Sequence, residues 1–156
     1  MPAVAARKST TLEATVTRVS DGDTVWARPD GASPGAKPLK LRLDGIDAPE
    51  SCQPWGAEAT QALRERVLGR RVRLELRGRD KYRRSVAGVW LGAQDLNAWM
   101  VREGHAWSYR YRHGAGPYRP LEAEARARRS GLFGAADPMP PQVFRQWHGP
   151  CRAGGR

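Results

Sequence analysis

Cysteine, histidine and lysine are scarce in this chain, and long apolar runs are absent. Each shortage excludes something. Two cysteines, Cys52 and Cys151, cannot build a structural zinc site by themselves. They leave two readings open: a pair of free thiols, or one disulfide tying the tail to the body, which would require an oxidising compartment. His105, His113 and His148 lack zinc-like spacing and receive no role. No apolar run is long enough to span a bilayer, so no membrane association is expected. Met1 to Thr11 is polar and lacks the apolar stretch of an export signal. The compartment therefore stays open: a periplasmic or secreted location, with its signal absent from this chain, would suit a disulfide.

What the chain has in excess is arginine. Of its 27 basic residues, 23 are Arg and four are Lys, against 16 acidic residues, for a net charge of +11. A field of that size draws polyanions and speeds their capture. Compositional drift in a genome favouring Arg, Ala, Gly and Pro would raise the same count. Charge alone does not separate these readings.

At 156 residues the chain suits one domain with a single core. Residues 1–10 read as a flexible leader, 11–135 as the domain, and 136–156 as a Pro- and Gly-rich tail with Phe144 and Trp147 as anchors. Leu12 to Val19 alternates as a strand, and Ser20-Asp21-Gly22-Asp23 is a turn. Thr24 to Arg28 is a second strand. Leu39-Lys40-Leu41-Arg42-Leu43 alternates strictly, which turns Arg42 away from the three leucines. Trp55 to Leu68 has helical spacing and stops at Gly69. Val72, Leu74 and Leu76 mark a fourth strand and Ser85 to Leu91 a fifth. Leu96 to Glu103, capped by Asp95, and Pro117 to Ser130 are two further helices. Five short strands with a helix after the third predict an α+β chain: a five-stranded OB-type β-barrel with three α-helices.

Three acidic groups lie close to turns. Asp23 follows the first strand, and Asp47 and Glu50 follow the third. A meander of strands one to three would bring them to one end of the barrel. Clustered carboxylates repel unless a hard cation with oxygen ligands neutralises them. Pro49 keeps Ala48 extended, so its carbonyl could face the same ion. Taken singly, each Asp is as well explained by turn chemistry. Arg42 and Arg84 add to the pattern, because a guanidinium grips phosphate oxygens through two parallel hydrogen bonds.

In this arrangement the sequence resembles the thermonuclease, or staphylococcal nuclease-like, family. The matching stretches are Val19-Ser20-Asp21-Gly22-Asp23-Thr24-Val25, Leu41 to Glu50, Gly56-Ala57-Glu58-Ala59 and Asp80-Lys81-Tyr82-Arg83-Arg84. Asn97 to Ala106 and Tyr118 to Phe133 follow in the family's order. The resemblance covers residues 12 to 147. It implies a calcium-dependent nuclease that cuts DNA and RNA with the 5′-oxygen leaving. Asp23, Asp47 and the Ala48 carbonyl would hold Ca2+. Glu50 would orient or deprotonate the attacking water, and Arg42 and Arg84 would clamp the phosphate. Tyr109 and Tyr111 look like the paired tyrosines that hold the terminal phosphate and stack on a base. Single strands should suit such a site better than duplex, and a monomer without protein partners is expected.

One position departs from the family. Its fourth motif usually carries Gly between the Tyr and the Arg, where this chain has Arg83. If the Gly serves a positive-φ turn, Arg there costs about 1–2 kcal/mol. Arg83 would then shift Arg84 or add a third phosphate contact. Asn97 is expected to hydrogen-bond the barrel, and most of the six tryptophans to pack in the core or rim. The rival readings are a non-catalytic nucleic-acid binding module on the same barrel, and an interaction protein whose charge reflects genome bias.

Overall fold

The computed structural model describes residues 10–110 and 114–151. Five strands close a barrel: β1 (Thr10–Asp21), β2 (Thr24–Pro29), β3 (Leu39–Leu43), β5 (Arg71–Arg79) and β6 (Ser85–Leu91). Two-residue strands β4 (Ile46–Asp47), β7 (Gln94–Asp95) and β8 (Trp107–Ser108) lie outside that ring. β1 serves two neighbours. Thr10 to Thr15 pair with β5, and Ala14 to Asp21 pair with β2. Register shifts between Val16 and Arg18 and between Val19 and Asp21 bend the strand, as bulges do in barrels. The parallel pair β3–β6 closes the ring, with Leu41 opposite Ser85 and Arg42 opposite Val86.

The alternation along each strand decides which face is inside. Ala14, Val16, Val25, Ala27, Leu41, Leu43, Val72, Leu74, Ala87 and Val89 are all buried in one core. Helix α1 (Gly56–Val67) adds Ala59, Leu63 and Val67 to that core, the four-residue spacing that lines one helix face. Helix α2 (Leu96–Arg102) starts where the Asp95 side chain accepts the Ala98 N–H. Helix α3 (Arg119–Ala127) and a 3-10 turn (Gly131–Gly134) follow. No helix among the described residues is long and apolar enough to cross a membrane.

The barrel and its strand order agree with the sequence; the C-terminal region differs. α3 is shorter than Pro117 to Ser130, because the chain turns to positive φ at Arg129. A fourth α-helix, α4 (Pro141–His148), forms in the region read as tail. Proline is tolerated in a first helical turn, where its missing N–H has no partner to lose. Trp147 is 82% exposed and anchors nothing. Phe144 stacks on His148, with ring centroids 4.6 Å apart. The segment is attached by polar and covalent links instead. Cys52 and Cys151 form a disulfide across 99 residues. Met139 offers its carbonyl to Gln53 Nε2 at 2.5 Å.

Two local features set where the loops go. Asn97 is fully buried on α2. Its Nδ2 donates to the carbonyls of Asp44 (2.8 Å) and Ala87 (3.1 Å), and its Oδ1 accepts the Val89 N–H at 3.1 Å. One side chain thus ties the helix, β6 and the chain leaving β3. The β5–β6 connection is built on Asp80, whose Oδ1 accepts the N–H groups of Tyr82 (2.9 Å) and Arg84 (3.0 Å). Arg83 sits at its corner with φ of 62°, the conformation glycine takes without cost.

Replacing Asn97 by Ala should lower the unfolding free energy by about 2–3 kcal/mol in urea denaturation, since the Asp44 carbonyl and the Val89 N–H lose this partner, while the Ala87 carbonyl keeps the Asp44 N–H. Arg83→Gly should raise it by up to about 1 kcal/mol, as relief of the left-handed strain exceeds the added chain entropy.

Candidate active site

The β1–β2 turn presents Asp21 and Asp23 at one end of the barrel. Asp23 and Thr24 are 6% and 2% exposed. Asp23 Oδ2 accepts the Ala48 N–H at 2.8 Å, and Oδ1 accepts the Thr24 hydroxyl at 3.1 Å. The first hydrogen bond clamps this turn to the chain that follows β3. Gly22 makes the approach feasible: a Cβ there would lie 2.8 Å from Ala48 Cβ and 3.2 Å from Ala59 Cβ.

Arg42 stands on β3 opposite Thr24 of β2. Its Nη1 donates to the carbonyls of Leu43 and Ile46, both at 2.9 Å. The same guanidinium lies 3.4 Å from Asp23 Oδ2 and 3.4 Å from Asp47 Oδ1. Asp47 is held in place by β4, where it pairs with Trp107 of β8. Glu50 follows in a tight loop. Its N–H donates to Gln53 Oε1 at 3.0 Å, and its carbonyl accepts the Gln53 N–H at 2.9 Å. Gly56 opens α1 against that loop; a Cβ there would fall 1.9 Å from the Glu50 carbonyl oxygen.

Arg84, the residue before β6, reaches the cluster from that end of the barrel. Its Nη1 lies 3.5 Å from the Thr24 hydroxyl, which itself bonds Asp23. Its Nε pairs with Asp80 Oδ2 at 2.7 Å. The parallel β3–β6 pairing is what sets it beside Arg42. Asp23, Arg42, Asp47, Ala48 and Glu50 therefore share one spot, with Arg84 one hydroxyl away. Arg83 is exposed at the β5–β6 corner, away from these contacts. Tyr109 follows β8, and its N–H donates to the Gly45 carbonyl at 2.9 Å. No described contact joins its side chain to the acidic cluster. Tyr111 lies outside the described residues.

Burial and crowding dominate the electrostatics. Burial pushes the Asp21 carboxyl well above the ordinary range, and the neighbouring Asp23 adds to the shift. Burial acts on Asp23 in the same sense, but Arg42 and the hydrogen bonds from its neighbours hold it below its ordinary value. Asp47 is raised to about 7 by burial and by Asp23, against the opposing pull of Arg42 and Arg145. Burial likewise raises Glu50, with Arg145 opposing. A buried acid that stays up beside two guanidinium groups marks a site short of positive charge.

Among the described residues, no three His, Cys, Asp or Glu side chains surround one point as a cage would. The donors anticipated from sequence are two carboxylates and one main-chain carbonyl. All are oxygens, and together with the unmet negative charge they fit a hard divalent cation rather than a soft one.

Two members of the site had no sequence signal. Arg145 of α4 lies 3.2 Å from Asp47 Oδ2 and 3.4 Å from Glu50 Oε1. Nothing local distinguished it among 27 basic residues. Gln53, 5% exposed, joins the Glu50 loop to Met139. Asp21 was visible as a turn acid, but not as the half-buried acceptor of the Asp23 N–H.

Residues 40–134 match the family described as staphylococcal nuclease homologue. An uncharacterized endonuclease of Haemophilus influenzae is 34% identical over 131 residues, covering 84% of this chain and 71% of that one. Protein ParB of Escherichia coli is 36% identical over 147 residues, covering 86% and 80%. The staphylococcal-like nuclease CAN1 of Arabidopsis thaliana is 32% identical over 111 residues, covering 71% and 34%. A closed five-stranded barrel, an acidic and arginine cluster at its mouth, and these matches lead to one assignment: the chain belongs to the family of staphylococcal nuclease homologues.

Proposed function

We propose that the chain is a calcium-dependent nuclease that hydrolyses phosphodiester bonds of DNA and RNA, with the 5′-oxygen as leaving group. The observation that carries this reading is the convergence of Asp23, Arg42, Asp47 and Glu50, from three separate segments, on one mouth of the barrel. Membership of the family supports it. So do the endonuclease and nuclease names of the relatives.

Asp23, Asp47 and the Ala48 carbonyl would hold the ion, which when bound supplies positive charge to a phosphoryl oxygen. Glu50, 24% exposed at the side chain and raised in pKa, is the group to orient the attacking water and accept its proton. Arg42 and Arg84 lie either side of Thr24 and are the groups to bind the phosphate. Their forks meet the charge that grows on the oxygens during attack. Tyr109 and Tyr111 are assigned to the terminal phosphate and to base stacking, and exposed Arg83 to a further phosphate contact. The net charge of +11 draws a polyanion to the molecule as a whole. Because stacking needs free base faces, single strands are the better substrate.

Digestion of single-stranded DNA should proceed with calcium and stop with chelator. Glu50→Gln and Arg42→Ala should each reduce kcat by at least about a hundredfold while circular dichroism stays unchanged. Salt-sensitive binding without cutting, calcium present, would identify a non-catalytic binding module instead.

A further inference from the structure

We propose that Arg145 is a positioning residue of this site: a guanidinium delivered by the C-terminal helix that holds the Glu50 carboxylate in register with Asp47. The inference rests on the nuclease reading, since it takes Glu50 as the water-orienting group.

Three contacts join the C-terminal segment to the loop that carries Glu50. Arg145 spans Glu50 Oε1 (3.4 Å) and Asp47 Oδ2 (3.2 Å). The Nε of the same side chain donates to the Pro141 carbonyl one turn earlier at 3.2 Å, which orients the fork on α4. Gln53 is a two-sided connector: its Oε1 accepts the Glu50 N–H, and its Nε2 donates to the Met139 carbonyl. The disulfide bonds Cys52 to Cys151, and the Cys52 N–H donates to Cys151 Sγ at 3.1 Å. The links thus fall at Glu50, Cys52 and Gln53, within four consecutive residues. They flank α4 on the C-terminal side, at Met139 before it and Cys151 after it.

This arrangement has a physical logic. Glu50 sits in a loop, not on a strand, and a carboxylate on three side-chain torsions needs an external brace to keep one orientation. A guanidinium between two acids supplies one: its Nη2 hydrogen-bonds Asp47 Oδ2, and its charge lies within ion-pairing distance of Glu50 Oε1. Asp47 is already fixed by β4 and by Arg42, so it serves as the rigid end of the bridge. Side chains one step removed from the reacting groups change rates through such orientation, typically by ten- to a hundredfold. Arg145 is 46% exposed at its side chain, so its loss leaves no buried cavity, and α4 contributes only Pro141 to the buried set. Removing this arginine should therefore disturb the loop and not the barrel.

The test uses Arg145→Ala, the double variant Cys52→Ser with Cys151→Ser, and all three substitutions together. The substrate is a single-stranded oligodeoxynucleotide with calcium. Arg145→Ala should lower kcat about tenfold with KM changed by less than about threefold, because the loss is of orientation and not of substrate contact. The serine pair should lower kcat as well, and the triple variant should fall less than the product of the two effects, since both act through one brace. Hydrogen exchange of the segment from Pro49 to Gly56 should speed up about tenfold in Arg145→Ala, with β1 and β5 unchanged. An unchanged or raised kcat, a loss confined to KM, or unaltered exchange in that segment would overturn the proposal. The exchange reading requires no catalysis: a chain that fails to cleave DNA sinks the nuclease reading, while the exchange rates still decide whether Arg145 braces the loop.

Discussion

The arrangement depends on a shortage of positive charge in a buried place. Asp21, Asp23, Asp47 and Glu50 meet at one mouth of the barrel, and Arg42 sits among them, its side chain 16% exposed. Carboxylates taken out of water repel one another strongly and favour their protonated forms. The fold answers with guanidinium groups. Arg42 contacts Asp23 and Asp47 while bonding two carbonyls, and Arg145 comes from the far end of the chain to Asp47 and Glu50. Even so, Asp47 stays near 7. That remaining deficit is the electrostatic basis of the proposed cation site, and the same guanidinium groups are those proposed to meet the phosphate.

The barrel makes that concentration of charge possible. Charges so close would drive apart a flexible loop cluster. Here each is held by a ladder or a buried hydrogen bond: Arg42 by β3, Asp47 by β4, Asp23 by the Ala48 N–H, and the chain leaving β3 by Asn97. The cost of assembling the acids is offset by the apolar core beneath them. Pairing β3 with β6 does double duty, since it closes the ring and sets Arg84 beside Arg42.

Two parts of the C-terminal region are attached in different ways. α3 and the 3-10 turn bury Ala125, Leu132 and Phe133 with Trp107 in a second, smaller hydrophobic cluster. α4 has little apolar burial and is attached by a disulfide, one amide and one arginine. A segment with so little core is held in place by covalent, hydrogen-bonded and ionic links. In the chain-entropy account, a crosslink spanning 99 residues stabilises by roughly 4–5 kcal/mol.

The sequence by itself determined the five barrel strands, the first two helices and the outward turn of Arg42, because those follow from local periods of two and 3.6 residues; the two-residue strands β4, β7 and β8 are too short to carry a period. It also marked Asp23, Asp47, Glu50 and Arg84 as candidates, through turn chemistry and the order of motifs. Only the tertiary structure decided how they neutralise one another, that half-buried Asp21 lies beside Asp23, and that Cys52 meets Cys151. It alone decided that α4 forms and that Arg145 and Gln53 belong to the site. The reason is physical. Residues 53 and 145 carry no local signal, and their roles arise from closure of the chain over some ninety positions, which no periodicity records.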